Sequence, residues 1–508
     1  MTRRHLAPWF LFLAVVIIYL AFPTRVYYWD GISFAQAIED ASSLSPSLVH
    51  PNHLIYNFAG SIFYKLLLSA GFELRAVTAL QILNSLLGAG AAAVLFVILI
   101  ETVRSLYLSI AVTLLFAFSA TWWKFSTDAN AYIPSVLFVL ISFYLVLPNR
   151  KVRPLLAALS FFVSMAFHQL AVLMLPVLAL GIYLQDGPLS LRRRTLNATY
   201  FAVAALALIV AAYAFLFYLA SGKFDIASLI HWSASYSPDA DVGFNLWSNL
   251  QYSLRGHVRL FFGGRFNLLR GLVNPFVVLL LITLAGAVLL LLFEALRNAA
   301  KIVQLQWLRE LRLELHQKTV LLLSLLWAIV YLVFLFFWLP QNTFYRLFYL
   351  PALMLLLGLG LSSLRRPAGF VAVLVAAVTL ANFLFLIYPF SHVEKYPPLA
   401  FALELNREWQ AGTVVYYATK NTDEELIRYF TPGALWKPLA SVDVLDRELA
   451  QIRSNGGHAW FETTAIDQLA STPEGARWLE THARKDSWRE VNDKAYKIRF
   501  VEVTPQSQ

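Results

Sequence analysis

Long apolar runs alternate with short polar joints through most of the chain. A helix needs about 20 apolar residues to cross the hydrocarbon core of a bilayer. Runs of that kind fall near 8–22, 76–100, 105–123, 131–147, 154–167, 170–185, 197–220, 272–294, 319–339, 348–363 and 369–389, which predicts about 11 transmembrane helices. A further candidate, 53–70, has a different pattern. There Asn57, Ser61, Lys65 and Ser69 recur every fourth residue, giving one polar face and suiting the segment to an interfacial helix. From about residue 400 the period changes. Short strand-like runs (TVVYYAT, HAWFET, YKIRFVEV) alternate with helical ones (DEELIRYF, VDVLDRELAQIRS, PEGARWLETHA), the pattern of a small α/β domain.

Cationic side chains decide the sidedness. If 53–70 does not span, the clusters at 3–4, 104, 150–153, 192–194, 297–318 and 365–366 all fall on one side, the cytoplasmic one. If it spans, all but the first cross over. The expected map therefore has the N-terminus cytoplasmic, 23–75 as one long outer loop with juxtamembrane helices, and 221–271 as a second. The amphipathic stretch 297–318 then lies on the inner face, and the tail is extracytoplasmic. Residues 1–390 form the membrane domain and 391–508 the outer α/β domain. Arg3 and Arg4 precede an apolar stretch with no clear small-residue cleavage site after it, so a retained first helix is expected.

Composition agrees: 59% of the 508 residues are hydrophobic and 14% charged, far from soluble usage. The net charge of +10 hides an asymmetry, because 391–508 holds 14 basic and 17 acidic residues and leaves 26 basic and 13 acidic ones before it. Basic groups placed between apolar runs face anionic lipid, not nucleic acid. With no cysteine, disulfides, thiolate metal sites and cysteine nucleophiles are excluded. Neither a phosphate-cradling glycine loop nor an HxxxH or HExxH spacing occurs, so the metal signal is weak.

Most of the few acids in the membrane part sit beside cytoplasmic cations or in polar loops. Asp30 (YYWDG) and Asp128 (WWKFSTDANAY) instead lie at outer membrane ends among aromatic rings. A carboxylate there is partly desolvated, which raises its pKa and makes it a better base. The competing reading for each is a helix N-cap, Asp128 before Ala131 and Asp30 before Ile32. His50, His53, His168 with Gln169, His231 and His257 gather on the same side, as do Arg346 and the patch of Arg255, Arg259 and Arg265. Any one histidine here is more simply satisfied by water or a carbonyl. A carboxylate base, stacking aromatics and scattered cations suit one reaction: an acceptor hydroxyl attacks a sugar C1 while a lipid phosphate departs.

Asp30 just after the first helix, then HPNHLIYNFAG, STDANAYIPSVLFV and AFHQLAVLMLPVLAL, resemble the GT-C superfamily of membrane glycosyltransferases. The resemblance is nearest to the bacterial protein O-mannosyltransferase-like branch, covers residues 1–185, and has an echo at YRLFYLPALMLLLG. It implies Asp30 as catalytic base, Asp128 as the acid that helps hold acceptor or base, and His50, His168 and Arg346 near the donor phosphate. Trp29, His53, Tyr132 and Gln169 are expected to line the substrate space. The implied donor is a polyprenyl-phosphate monosaccharide used with inversion, with no cofactor required and a divalent metal left open. The acceptor is a glycan, protein or lipid. The implied setting is a bacterial plasma membrane. Asp30 is followed by Gly-Ile and not by a second acid, a departure that bears on substrate and metal. The rival reading is a transporter or flippase, or an assembly factor, for polyprenyl-linked glycans. Transporters usually place polar groups at the midplane of broken helices, whereas these runs are apolar through their centres.

Overall fold

The computed structural model describes residues 2–42, 45–185, 190–235, 245–264, 313–362, 367–419, 422–493 and 496–505, with Ile282, Gly286 and Leu289 between. The chain divides into two units, Met1–Thr24 with Ala37–Pro389, and Arg25–Gln36 with Phe390–Gln508.

The first unit is helical. Its described elements are α1 (Thr2–Ala21), the end of α2 (Trp29–Asp40), α3 (Tyr56–Ser69), α4 (Ala76–Val103), α5 (Leu106–Ala117), α6 (Ala120–Ser126), α7 (Tyr132–Leu145), α8 (Pro154–Phe167), α9 (Leu175–Leu184), α10 (Leu191–Ser221), α11 (Ile226–Ala234), α12 (Leu246–Phe261), α13 (Leu315–Phe337), α14 (Leu350–Leu361) and α15 (Pro367–Asn382). Among the described residues α4, α10, α13 and the span Val371–Phe390 are long and apolar enough to cross a membrane, and shorter apolar helices occupy the expected segments at α1, α7, α8, Gln169–Leu184 and α14. The run at 272–294 and most of the amphipathic stretch 297–318 lie outside the described residues.

The expected span 105–123 is a broken one: α5 and α6 meet at 67°. Ser119 is extended (φ −62, ψ 145), and its hydroxyl donates to the Phe116 carbonyl at 2.8 Å. Asn382 donates to the carbonyls of Phe118 (2.9 Å) and Phe261 (2.8 Å) and accepts from the Gly263 N–H (3.1 Å). A break inside an apolar layer survives only when its freed backbone groups find partners, and these two side chains supply them. The α3 pattern also resolves differently from a plain interfacial helix. Asn57 and Ser61 are buried while Lys65 and Ser69 are exposed, because Gly60 lets the first turns press on Leu80 and Ile38.

At the ends expected to be cytoplasmic, acids pair with the cations beside them. Arg150 binds Glu101, and Arg104 binds Glu314 at 2.5 Å. Glu314 and Gln317 form a capping box that starts α13, and Gln317 donates to the Thr102 carbonyl at the foot of α4.

The second unit contains β1 (Val414–Tyr417), β2 (Leu435–Pro438), β3 (Ala459–Glu462), β4 (Arg489–Asp493) and β5 (Tyr496–Val503) in the order β2-β1-β3-β5-β4. β1 runs parallel to β2 and β3, while β5 is antiparallel to β3 and β4. Strand side chains alternate between faces, so each strand feeds two cores. Val414, Tyr416, Phe461 and Val501 pack on α18 (Val442–Ser454), α19 (Thr463–Ala470) and α20 (Pro473–His482). Val415, Trp460 and Phe500 pack on α16 (Pro397–Glu408) and α17 (Thr422–Phe430).

Candidate active site

In the first unit, residues from the joints expected on the outer side converge. The α6–α7 joint is stitched to the start of the first loop: the Thr24 N–H donates to the Thr127 carbonyl (3.2 Å), and the Gln81 amide of α4 donates to both carbonyls, Thr24 at 2.7 Å and Thr127 at 3.0 Å. Asp128, wholly buried, accepts from Lys124 Nζ at 2.8 Å and from the Ala129 N–H at 2.9 Å. Asn84 donates to the carbonyls of Asp128 and Asn130. The N-cap reading of Asp128 is replaced by Asn130, whose side-chain oxygen accepts from the Tyr132 and Ile133 N–H groups that open α7. A buried carboxylate is costly unless paired and hydrogen-bonded, and Lys124, one helical turn back, supplies the pair.

Tyr132 leads from this joint to the histidines. Its ring lies 4.8 Å from His168, and His53 stands 5.0 Å from His50 and 4.9 Å from His168, centroid to centroid. His50 Nδ1 accepts from the Asn52 N–H and His168 Nδ1 from the Leu170 N–H, so in the neutral ring each carries its proton on Nε2. His53 Nδ1 faces the Phe167 carbonyl at 3.3 Å and is therefore the protonated nitrogen of that ring. Burial disfavours the imidazolium in all three, lowering His50 to about 4, His168 to about 3, and His53 well below its ordinary value. Gln169 donates its amide to Asn52, and the Tyr213 hydroxyl of α10 donates to the Pro51 carbonyl at 2.7 Å.

His168 also packs on Tyr345 and Phe348 of the 3₁₀ turn Phe344–Phe348, which carries Arg346. Arg346 is 1% exposed, and among the described residues no carboxylate pairs with it. Nη2 donates to the Pro340 carbonyl at 2.7 Å and Nη1 to the Tyr349 hydroxyl at 2.9 Å. The chain continues from the Tyr349 hydroxyl to His257 Nε2 at 2.9 Å, while His257 Nδ1–H donates to the Ser253 carbonyl at 2.7 Å. Partial burial holds half-buried His257 below its ordinary value, and the Arg346 charge adds to the effect. Arg255 and Arg259 of the expected patch are exposed, and Arg265 lies outside the described residues.

A cavity of about 850 Å³ reaches His168 and Tyr345, the neighbour of Arg346 on its turn. It is lined by apolar side chains of α10, α11 and α13 together with Asn52, His168, Gln169, Tyr213 and Tyr345. A second cavity of about 990 Å³, among α1, α5 and α15, is almost wholly apolar and contains none of the candidate residues.

In the second unit α2 begins at Trp29, so Asp30 lies inside its first turn and is not the N-cap that the sequence offered. Burial raises its carboxyl to about 6; a hydrogen bond from Tyr28 opposes the shift and the Glu425 charge adds to it. Ser33, one turn on, donates to Glu425 Oε2 at 2.9 Å, and the Tyr27 ring stacks on Phe430 at 5.6 Å, so α17 grips both ends of this segment. Trp29 is exposed and meets Tyr28 edge to face.

Lys124, Asn84, Tyr349 and Glu425 are partners that the candidate residues gain only in the fold. Lys124 alone had a readable signal, its i,i+4 spacing to Asp128.

No family model matches the chain, and no curated protein matches it. Two solved structures share its fold: ArnT from Cupriavidus metallidurans bound to undecaprenyl phosphate (TM-score 0.60) and the same protein in the apo state (TM-score 0.61). Each is 12% identical, over 99% of this chain and 98% of that one. The likeness shows a shared fold, and with the apolar helices it fits a polytopic helical membrane protein.

Proposed function

We propose that the protein is an inverting glycosyltransferase that moves a monosaccharide from a polyprenyl-phosphate donor to an acceptor hydroxyl on the outer side of a bacterial plasma membrane. The observation that carries this reading is the buried Arg346 guanidinium, on the same turn as Tyr345, which lines the 850 Å³ apolar cavity with His168 and Gln169. A buried cation costs stability unless an anion meets it, and a cation on the turn that walls an apolar cavity suits a phosphate on a prenyl chain. The capture of ArnT, of shared fold, with undecaprenyl phosphate supports the same ligand class here.

In the reaction, the acceptor O–H gives its proton to Asp30 as the oxygen attacks C1 of the sugar. The bond from C1 to the phosphate oxygen breaks, and its electron pair leaves with the polyprenyl phosphate. Attack opposite the departing oxygen inverts C1. Arg346 supplies charge to the leaving phosphate, and His50 and His168, neutral with Nε2–H, supply hydrogen bonds. Trp29, His53, Tyr132 and Gln169 line the sugar. Asp128, locked to Lys124, holds the loop that presents Tyr132. Asp30, its carboxyl near 6, is ionised yet basic enough to take a proton at neutral pH.

The test is to incubate purified protein with a panel of polyprenyl-phosphate sugars and acceptors, following free polyprenyl phosphate and the configuration at C1. Acceptor-dependent release with inversion is expected from one donor. Silence across the panel, with donor bound, would favour the transporter reading.

A further inference from the structure

Asp30 and Glu425 are far apart in sequence, yet α17 carries Glu425 to the helix that bears Asp30. Two contacts hold α17 there, Ser33 to Glu425 (2.9 Å) and Tyr27 on Phe430 (5.6 Å), and the Arg25 N–H donates to the Phe390 carbonyl where the tail begins. Resting on the reading above, we propose that Glu425 is a positioning residue for the catalytic base: through Ser33 it fixes the first turns of α2, and it presents a second negative charge to the Asp30 carboxyl.

The chemistry follows from like charges. A carboxylate close to another loses its proton less readily, so the base binds the acceptor proton more strongly. Two named groups act on Asp30 in opposite senses. Tyr28 lowers its proton affinity by hydrogen bonding, and Glu425, from the packed helix α17, raises it. Helix α17 thus supplies part of the base's environment.

Glu425→Gln tests this, because the amide oxygen still accepts from Ser33 while the charge is gone. Two readouts separate this inference from the reading it rests on. The first is the Asp30 carboxyl titrated by infrared difference spectroscopy, its band identified by loss in Asp30→Asn. The second is the pH profile of kcat/KM for polyprenyl phosphate release. In Glu425→Gln both the titration midpoint and the acidic limb are expected to move to lower pH, and Glu425→Asp to restore them in part. An unmoved midpoint in a folded Glu425→Gln protein overturns the proposal even if the enzyme turns over. A shifted midpoint in a protein with no transferase activity upholds the charge coupling and sinks the transferase reading instead.

Discussion

Gly256 lies against the guanidinium of Arg346. A Cβ built at Gly256 would come within 2.8 Å of Nη2 and 2.9 Å of Cζ, so α12 approaches the buried cation only because that residue has no side chain. Gly256→Ala is expected to push Arg346 out of place and weaken donor binding about tenfold, the loss of about 1.4 kcal/mol. Titration with a polyprenyl phosphate measures it. Unchanged affinity would show that the placement of Arg346 does not matter to the ligand.

Replacing the cation tests its purpose. Arg346 has two hydrogen-bonded partners, but among the described residues no carboxylate neutralises it, so burying it is a cost to folding. Arg346→Met should leave thermal stability equal or higher while lowering affinity for polyprenyl phosphate about tenfold to a hundredfold, the range for a hydrogen bond to a charged group. A large drop in melting temperature with binding intact would make Arg346 structural.

The histidine cluster sets a pH dependence. Folded His168 titrates near 3, below its ordinary value of 6.5, so between these values the unfolded chain takes up a proton that the folded one refuses. Its contribution is therefore fully present above about pH 6.5 and is lost as pH falls, by up to about 1.4 kcal/mol per pH unit. Thermal unfolding in detergent should show a shallower acid decline for His168→Gln than for wild type. Parallel curves would mean that the imidazole is protonated in the fold.

Much of this site was legible because charge bias assigns sides. With 53–70 read as non-spanning, His50, His53, Asp128, His168 and Arg346 share the expected outer side, and the structure brings the three histidines and the Arg346 turn into one aromatic cluster with Tyr132. What stayed hidden depends on tertiary partners. Gly256 has meaning only against Arg346, and Tyr349 only between Arg346 and His257. Glu425 gains a role through Ser33, 392 residues away. Likewise the break at Ser119 reads as one apolar run, since Asn382, the residue that satisfies it, is far along the chain.

Sidedness itself is open to labelling, since the chain has no cysteine. Lys65 and Lys151 are both exposed and lie in joints expected on opposite sides. A cysteine replacing Lys65 should react with an impermeant maleimide from outside intact cells, and one replacing Lys151 only after lysis. The reverse pattern would invert the map and place the proposed site in the cytoplasm.

The central claim is that Asp30 takes the acceptor proton. It is tested most directly by measuring donor binding and polyprenyl phosphate release together in wild type and Asp30→Asn. Donor affinity should be nearly unchanged while turnover falls at least about 100-fold, the low end of what a general base contributes. Equal turnover in the two proteins would contradict the assignment.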